Sequence, residues 1–392
     1  MKILVVCQYY YPEPFRLHDI CEELVRRGHQ VTVLTGVPNY PMGEIYEEYR
    51  KGKHRTEEIR GVQVIRTWTI PRKTGAFCRM LNYFSFPVSS WLKVSSLDSD
   101  IDLVLINQQS PVMMAWPGIR YGRKYKRPLM MYCMDLWPAS LTAAGMKPGS
   151  PVYGFFHGIS HRIYRSMDRI LVSSQMFAQY LHQEFGIDRS RMITLPQHAE
   201  DVFCDLLPHT SEGPINLVFA GNVGAAQSLD TVLDAARQLK DVLFHIVGDG
   251  VELDRLKAKA GENVRFYGRC SVEEMPGYYA LADALLVTLK ADPVLSFTLP
   301  GKVQSYMAAG RPIIGAADGE TRRTIEEADC GFCGRAEDPL ELVQNIRKFA
   351  ESKKKAEMGR NARRYYELYF ARDRFMDQLE QELYSAYSAA GR

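Results

Sequence analysis

The stretch that most constrains the fold is INLVFAGNVGAAQSLDTVLDAA, which runs from Ile215 to Ala236. Five apolar-rich residues, Ile215 and 217–220, predict a buried parallel strand. The turn Gly221-Asn222-Val223-Gly224 follows at once, and residues 228–236 have helical spacing. Glycines let backbone amides approach a ligand and a helix N-terminus is electropositive, so this order favours an anion such as a diphosphate. Ordinary turn chemistry would also account for the glycines.

The rest of the chain alternates strands and helices in the same way, which predicts an α/β protein with parallel sheets. A chain of 392 residues is too long for one hydrophobic core, so we expect two domains. The polar, aperiodic stretch at 196–214 predicts the boundary between them. The predicted domains are 1–196 and 197–370, with a C-terminal helix at 371–392 that packs back on the first domain.

Charge divides the two halves. Residues 1–196 carry 25 Lys and Arg against 16 Asp and Glu, whereas the remainder carries 24 against 30. The first half is therefore a candidate for contact with an anionic surface. The short apolar start MKILVVCQYY reads as a strand, and no apolar run approaches the roughly 18 residues of a membrane span. These features predict a cytoplasmic protein with reduced cysteines, among which Cys330 and Cys333 fall in an ordinary loop.

Asp135 is the leading candidate for a catalytic carboxylate in the first half. It closely follows the predicted strand Leu129–Cys133, and the carboxyl end of a parallel strand faces the crevice where ligands bind. Capping of a helix N-terminus is the alternative role for this residue.

The segment Ile70–Val94 interleaves basic and aromatic residues and contains no acidic residue. This texture is typical of a segment in a membrane interface, and a buried helix with a basic edge is the alternative. A second basic cluster lies at 118–127. The predicted membrane-facing residues are Arg72, Lys73, Phe77, Arg79, Phe84, Arg123 and Lys124. The lysines at 353–355 read as a solvated face, so no nucleic-acid partner is predicted.

Taken together, these pieces resemble the two-domain glycosyltransferases of family 4. The resemblance is carried by MKILVVCQYYYPEP, LVRRGHQVTVLTGVPNYP, MYCMDLWPASL, FAGNVGAAQSLDTVLDAA, VGDG, NVRFYGR, YYALADALLVTL and LPGKVQSYMAAGRPIIGAADGET. It implies the GT-B fold, with two Rossmann-like domains and an inter-domain cleft, and transfer with retention of anomeric configuration. The VPNYP and DLWPASL pieces resemble in particular the WbuB-type N-acetyl-L-fucosaminyltransferases.

The resemblance also implies roles for individual residues. The donor would contact Gly221, Asn222, Val223, Gly224, Gly248, Asp249, Arg269, Thr298, Leu299, Lys302, Gln304 and Ser305. The acceptor would contact Tyr11, Glu13, Arg16, Asn39, Tyr40 and Asp135. Lys302 would offset charge on the leaving nucleotide, so neither a metal nor a cofactor is expected.

Two departures from the family pattern bear on the donor. The two glutamates that the family places before its AxG-P segment correspond here to Phe297 and Ser305. The lysine that often follows the glycine turn is also absent, since Ala225, Ala226 and Gln227 stand there. Gln304, Ser305 and backbone amides at 296–299 are expected to replace the glutamates. The missing lysine increases the role expected of Lys302.

The sequence thus predicts a retaining enzyme that uses a UDP-sugar, such as UDP-N-acetyl-L-fucosamine. The expected acceptor is an undecaprenyl-diphosphate-linked sugar at the inner face of the plasma membrane, in the synthesis of capsule, O-antigen or exopolysaccharide. The alternatives are a UDP-sugar epimerase or hydrolase of the same fold, and a non-catalytic nucleotide-sugar sensor or scaffold.

Overall fold

The computed structural model describes residues 1–72, 75–142, 145–206 and 213–391, and the chain forms two compact units. Unit 1 comprises Met1–Ser173, Phe177–Leu195 and Met376–Arg392. Unit 2 comprises Ser174–Met176 and Pro196–Phe375.

Unit 1 is built on a sheet of eight described strands. They are β1 (Lys2–Val6), β2 (Gln30–Gly36), β3 (Thr56–Ile59), β4 (Val62–Thr67), β5 (Leu103–Gln108), β6 (Leu129–Cys133), β7 (Arg169–Val172) and β8 (Met192–Thr194). Their order is β3-β4-β2-β1-β5-β6-β7-β8, and every pair is parallel except β3 with β4. Strands β5 and β6 are buried at every residue, as in parallel sheets covered on both faces.

Five helices follow the strands of unit 1 in the described part of the chain: α1 (Leu17–Arg26), α2 (Ala76–Lys93), α3 (Trp116–Tyr125), α4 (Pro151–Arg165) and α5 (Gln175–Phe185). Helix α1 turns its apolar side inward, with Leu17, Ile20 and Leu24 buried. Strand β3 was not predicted, because its sequence Thr-Glu-Glu-Ile lacks an apolar alternation and reads as loop.

Unit 2 holds a second sheet, which is parallel throughout its described strands. They are β9 (Ile215–Ala220), β10 (Val242–Val247), β11 (Val264–Gly268), β12 (Ala284–Thr288), β13 (Ile313–Ala316) and β14 (Gly331–Gly334), in the order β11-β10-β9-β12-β13-β14. The helices are α6 (Asp230–Gln238), α7 (Leu253–Lys257), α8 (Met275–Leu281), α9 (Pro293–Ser296), α10 (Gly301–Ala308), α11 (Gly319–Glu327), α12 (Pro339–Glu351) and α13 (Lys355–Tyr369).

The prediction of a loop around Cys330 and Cys333 was wrong, because residues Gly331–Gly334 form strand β14. Gly331 permits the close pairing with β13, since a Cβ there would lie 1.8 Å from the Ile313 carbonyl oxygen. Both cysteines are free thiols, and burial raises their pKa to about 12. They serve as small core residues.

The last helix, α14 (Arg372–Ala389), contributes its residues from Met376 onward to unit 1. There Glu380 lies 2.8 Å from the His29 ring nitrogen, and Asp377 accepts a 2.7 Å hydrogen bond from Arg27. Among the described residues, no helix has the length and apolar content needed to cross a membrane.

The predicted fold class, with two parallel-sheet Rossmann-like domains, is confirmed. The order of strands reverses at β1 in unit 1 and at β9 in unit 2. Ligands of open α/β sheets bind beyond the carboxyl ends of the strands at such reversal points. The Gly221 turn directly follows β9, so it lies at the reversal point of unit 2.

Candidate active site

The glycine turn after β9 packs against the turn after β10. A Cβ on Gly248 would lie 1.8 Å from the Gly221 carbonyl oxygen, and a Cβ on Gly250 would lie 2.3 Å from the Val223 carbonyl oxygen. Only glycine allows this approach, and Gly221 and Gly248 also have positive φ angles of 136° and 143°. The glycines of these two turns are therefore needed for the contact between the turns.

Two of the four amides in the Gly221 turn already have partners within the fold. The Gly221 amide donates to the Val247 carbonyl and the Val223 amide donates to the Asp249 carbonyl, each at 2.9 Å. Among the described residues, the structure gives the Asn222 and Gly224 amides no such partner. Of the four amides predicted to bind a diphosphate, only those of Asn222 and Gly224 therefore remain available within the described structure. The Val223 side chain lies in the core.

The helix predicted to begin near Ser228 is α6, which starts two residues farther along. A 3-10 turn at Ala225–Gln227 and a left-handed Ser228 intervene, and the helix begins at Asp230. The Asp230 carboxylate lies in the first helical turn and pairs with Arg255 at 2.6 Å. A negative charge in that turn already interacts favourably with the helix dipole, so the dipole would attract an anionic ligand less strongly.

Lys302 is brought to the Gly221 turn from the first turn of α10. Its Nζ donates to Gln227 Oε1 at 2.6 Å, lies 3.8 Å from the centroid of the Phe219 ring, and would lie 3.1 Å from a Cβ on Gly221. Burial lowers the pKa of Lys302 to about 7. The lysine is therefore close to balance between its neutral and charged forms, and a nearby anion would favour the charged form.

Ser305, at the position of a family glutamate, contacts a carboxylate from another segment. Its hydroxyl lies 3.2 Å from Glu200 Oε2 and 3.2 Å from the Gly301 carbonyl oxygen. Glu200 was missed by the sequence analysis, because it lies in the polar stretch at 196–214 that was read as a linker. The neighbouring Gln304 is buried, with its amide 2.8 Å from the Pro300 carbonyl oxygen.

The remaining predicted donor residues fall into two groups. Asp249 and Arg269 are exposed near the glycine turns, and Gly268, which precedes Arg269, accepts a 2.7 Å hydrogen bond from the Gly248 amide. Thr298 and Leu299 lie between α9 and α10, where the Thr298 hydroxyl donates to the Leu295 carbonyl and the Leu299 side chain joins the core. The second pair therefore supports the start of α10.

In unit 1, Glu13 is buried and its carboxylate accepts three backbone hydrogen bonds. Oε1 accepts from the Asn39 amide at 2.8 Å and the Tyr40 amide at 2.7 Å, and Oε2 accepts from the Tyr10 amide at 3.1 Å. Burial outweighs these bonds and raises the pKa of Glu13 to about 7. Glu13 thus links the loop after β1 to the loop after β2. Its hydrogen bonds hold the backbone of both loops in position.

The other acceptor candidates lie around this link. Tyr40 packs against Phe15 with ring centroids 5.3 Å apart, and Tyr11 is exposed beside His18. Arg16 is half-buried at the start of α1.

Arg72, which the sequence predicted to face the membrane, contacts residues of the loops after β1 and β2. Its amide donates to Asn39 Oδ1 at 3.0 Å, and its guanidinium interacts with the Tyr9 hydroxyl. Its charge also acts on Asp135, where it opposes in part the rise in pKa that burial causes. The sequence showed only a basic residue in a basic segment, so this placement came from the fold.

Asp135 follows β6 and is half-buried. Burial raises its pKa above the usual value for aspartate, whereas bonds from Ser140 and Trp137 and the charge of Arg72 act in the opposite direction. Asp135 Oδ2 accepts from the Ser140 hydroxyl at 3.1 Å. The next helical turn begins at Ala139 after Pro138 and has no side-chain cap, so the alternative role of Asp135 as its N-cap is not observed.

Among the remaining membrane-facing candidates, Lys73 lies outside the described residues. Phe77 and Arg79 belong to α2, but their side chains also lie outside what the structure describes. Phe84 is half-buried against Trp116, with ring centroids 6.2 Å apart. Arg123 and Lys124 are exposed on α3.

Helix α2 carries an exposed apolar face that we call the α2 face. It consists of Met80, Leu81, Val88, Trp91 and Leu92. Arg120 of α3 stacks on the Trp91 ring at 3.5 Å, which places basic residues of α3 beside the face. Their spacing places these apolar side chains on one side of the helix.

No group of three or more His, Cys, Asp and Glu side chains is arranged to hold a metal ion in the described part of the chain. His157 and His161 lie four residues apart on α4, and a ring nitrogen of His157 lies 2.9 Å from the Glu184 carboxylate.

Comparison with known proteins gives consistent matches along the chain. Residues 15–198 match the family described as Glycosyl transferase 4-like domain, and residues 214–352 match the family described as Glycosyl transferases group 1. The chain is 27% identical over 356 residues to WcaI of Escherichia coli (strain K12), described as a colanic acid biosynthesis glycosyl transferase. That alignment covers 82% of this chain and 84% of WcaI.

Solved structures that resemble nearly the whole chain include HepE and WaaG. HepE of Anabaena in complex with UDP and glucose has a TM-score of 0.70 at 18% identity and covers 98% of this chain and 100% of its own. WaaG, a glycosyltransferase involved in lipopolysaccharide biosynthesis, has a TM-score of 0.65 at 16% identity and covers 96% of this chain and 99% of its own. At these identities the structural likenesses establish the fold alone.

Proposed function

We propose that this chain, a two-domain glycosyltransferase of the GT-B fold, transfers a sugar from a UDP-sugar to a lipid-diphosphate-linked sugar with retention of anomeric configuration. The observation that carries the proposal is the position of Lys302, which is largely buried against the Gly221 turn at the strand reversal of unit 2. A lysine placed there has a clear use if phosphate groups bind beside it.

The donor site is assigned to unit 2. The Asn222 and Gly224 amides and Lys302 would bind the diphosphate, and Arg269 would lie near the uracil. Support for UDP comes from the likeness to HepE, whose structure holds UDP and glucose. Lys302 would take over the neutralising role of a metal ion, so the proposed reaction needs no metal or other cofactor.

Glu200 offers a replacement for the glutamate missing at position 305. A family glutamate at this position would contact the ribose or the sugar, and here the Ser305 hydroxyl lies within hydrogen-bonding distance of the Glu200 carboxylate. A carboxylate would therefore remain beside α10 although the family position holds serine. We assign Glu200 and Ser305 together to recognition of donor hydroxyl groups.

The acceptor site is assigned to unit 1. Asp135 would accept a hydrogen bond from the attacking hydroxyl, and burial, which raises the pKa of Asp135, favours uptake of the proton of that hydroxyl. The guanidinium of Arg72 would bind the acceptor diphosphate. Glu13 would act through the Asn39 and Tyr40 backbone, which it holds in place.

The reaction exchanges one bond at the anomeric carbon. The bond from that carbon to the β-phosphate oxygen breaks and its electron pair leaves with UDP, while the acceptor oxygen bonds to the carbon on the same face. The acceptor proton passes to Asp135 or to the departing phosphate. Lys302 in its charged form stabilises the negative charge that develops on UDP.

We further propose that unit 1 docks on the inner face of the plasma membrane through the α2 face. Its apolar side chains would enter the interface, while Arg123 and Lys124 would contact lipid phosphates. This location suits an undecaprenyl-diphosphate-linked acceptor. WcaI and WaaG are described in terms of colanic acid and lipopolysaccharide biosynthesis, which supports a role in surface-polysaccharide assembly.

The test is an assay of the purified chain with a set of UDP-sugars, including N-acetylated 6-deoxyhexoses, and a polyprenyl-diphosphate-linked sugar in vesicles. The expected result is acceptor-dependent UDP release and a product whose new linkage keeps the anomeric configuration of the donor, as read by NMR. Activity should persist in EDTA. Epimerised or free sugar formed without acceptor would instead establish an epimerase or hydrolase, and tight UDP binding without turnover would establish a sensor or scaffold.

A further inference from the structure

Unit 2 contains a cavity of about 850 Å³ at the end of its sheet opposite the Gly221 turn. It is lined by Ile215 at the start of β9, by Asp283 just before β12, and by Pro312 just before β13. The Gly221 turn follows the other end of β9. Six strand residues at about 3.3 Å each separate the two places by roughly 20 Å. The cavity is therefore distinct from the proposed donor site.

Among the described residues, the lining of the cavity carries more basic than acidic side chains. Its basic residues are Arg311, Lys353, Lys355, Arg360, Arg363 and Arg364. The acidic residues on its lining are Asp205, Asp283 and Glu367. Asp283 already accepts a 2.8 Å hydrogen bond from the Asn216 amide. Unit 2 has more acidic than basic residues as a whole, so this concentration of cations is local.

Arg311 is the most unusual of these side chains, because only 3% of it is exposed. Its Nε donates to the Tyr279 carbonyl at 2.8 Å, which fixes the plane of the guanidinium. Burial lowers the pKa of Arg311, and the nearby Arg363 lowers it further, whereas Asp283 raises it only in part. Burying an arginine costs free energy that a bound anion would offset.

Helix α13 holds the second arginine in place. The Arg363 guanidinium donates to the Cys204 carbonyl. Gly359 allows α13 to approach the end of α10, since a Cβ there would lie 2.6 Å from the Gly310 carbonyl oxygen. Both guanidinium groups are thus oriented by the fold before any ligand arrives, which reduces the entropy lost on binding.

We propose that this cavity is a second ligand site of the protein, which binds a small soluble molecule carrying a phosphate or diphosphate group through Arg311 and Arg363. Paired guanidinium groups match phosphate oxygens with charge-assisted, bidentate hydrogen bonds. The volume lies in the range of about 300–1,000 Å³ that is usual for small-molecule sites, so a phosphorylated sugar or a nucleotide would fit.

The test is calorimetric titration of pyrophosphate into the full chain saturated with UDP, which keeps the proposed donor site occupied. Wild-type protein should bind pyrophosphate. Arg311→Lys keeps the charge but loses the bidentate geometry, so it should weaken binding about tenfold. The UDP affinity of this variant should equal that of wild type, which separates this proposal from the proposed function.

A second variant guards against misfolding at the buried arginine. Lys353→Gln with Arg364→Gln removes two exposed cations at the rim and should weaken pyrophosphate binding about fivefold. The matched control, Lys348→Gln with Arg347→Gln, removes two exposed cations of α12 that do not line the cavity, and it should leave binding unchanged. The proposal is overturned if wild type binds no pyrophosphate, or if the rim and control variants bind it equally. It is also overturned if Arg311→Lys weakens only the capture of the protein by phosphatidylglycerol vesicles, because the phosphate would then belong to a lipid.

Discussion

The two units each place an ionisable side chain just beyond the carboxyl ends of parallel strands, but they support it differently. In unit 1 the group is Asp135, held by a hydroxyl hydrogen bond and acted on by the charge of Arg72. In unit 2 the group is Lys302, which lies against an aromatic ring and a glycine backbone with a neutral amide as its partner. In unit 1 the fold itself supplies a charge opposite to that of Asp135. In unit 2 the partner of Lys302 is neutral, so a bound ligand would have to supply the opposite charge.

Burial shifts the two pKa values toward each other. It raises the pKa of Asp135 and lowers that of Lys302, because the charged form loses solvation in both cases. Each group therefore gains from a ligand that stabilises its charged form. Under the proposed function, the lysine would respond to donor binding, whereas the aspartate would respond to the proton of the acceptor.

The largest expected effect is that of Asp135→Asn. Asparagine keeps the size and the hydrogen bond to Ser140 but cannot take a proton, so turnover should fall by about 10²- to 10⁴-fold while UDP affinity stays within a factor of two. Initial rates and calorimetry measure the two quantities. Asp98→Asn, at an exposed position of the same unit, is the control and should keep full turnover. An Asp135→Asn enzyme that retains wild-type turnover would remove Asp135 from the mechanism.

The pH dependence of donor binding tests the role of Lys302 in unit 2 independently of Asp135 in unit 1. The pKa of Lys302 is about 7 without ligand, and the charged form binds phosphate. UDP affinity should therefore be highest below pH 7 and fall as the pH rises through that value. Lys302→Met should bind UDP about 10- to 100-fold more weakly at pH 6 and should lose this component of the pH profile.

A stability measurement tests the same pKa shift without ligand. The unfolded chain keeps the lysine protonated up to about pH 10.5, so it binds more protons than the folded chain between about pH 7 and that value. The Lys302 contribution to the free energy of unfolding should therefore rise with pH across this window and be absent in Lys302→Met. Lys257→Met, at an exposed lysine of α7, should change neither profile. A flat difference between wild type and Lys302→Met would show that the lysine is charged in the free protein.

Local patterns in the sequence predicted the parts of the fold that have local causes. Apolar runs identified the buried strands, and the glycine turn after Ala220 was located because its glycines directly follow an apolar strand pattern. Strand β3 was missed because its own sequence lacks a strand pattern, and it is held as a strand by its antiparallel pairing with β4. The same holds for β14, which depends on pairing with β13.

The candidate site was predicted less completely, because its contacts join distant segments. Asp135 was identified by its place after a predicted strand, and Lys302 by the family resemblance. Neither observation could show that Glu200 lies beside Ser305 or that Arg72 acts on Asp135. The sequence also could not show that the Gly221 and Val223 amides are already occupied by the turn after β10. These facts depend on which strands are neighbours.

The smallest expected effect concerns the surfaces of the two units. Leu92 on the α2 face is 65% exposed in the basic half of the chain, and Leu340 on α12 is 62% exposed in the acidic half. Leu92→Glu should reduce binding to vesicles containing phosphatidylglycerol by about tenfold at low salt, because it removes apolar contact and adds repulsion from anionic lipid. Leu340→Glu is a matched change in exposure and charge and should leave binding within a factor of two. Flotation of both variants at low and high salt measures this difference, and equal losses in the two variants would place the membrane contact elsewhere than on the α2 face.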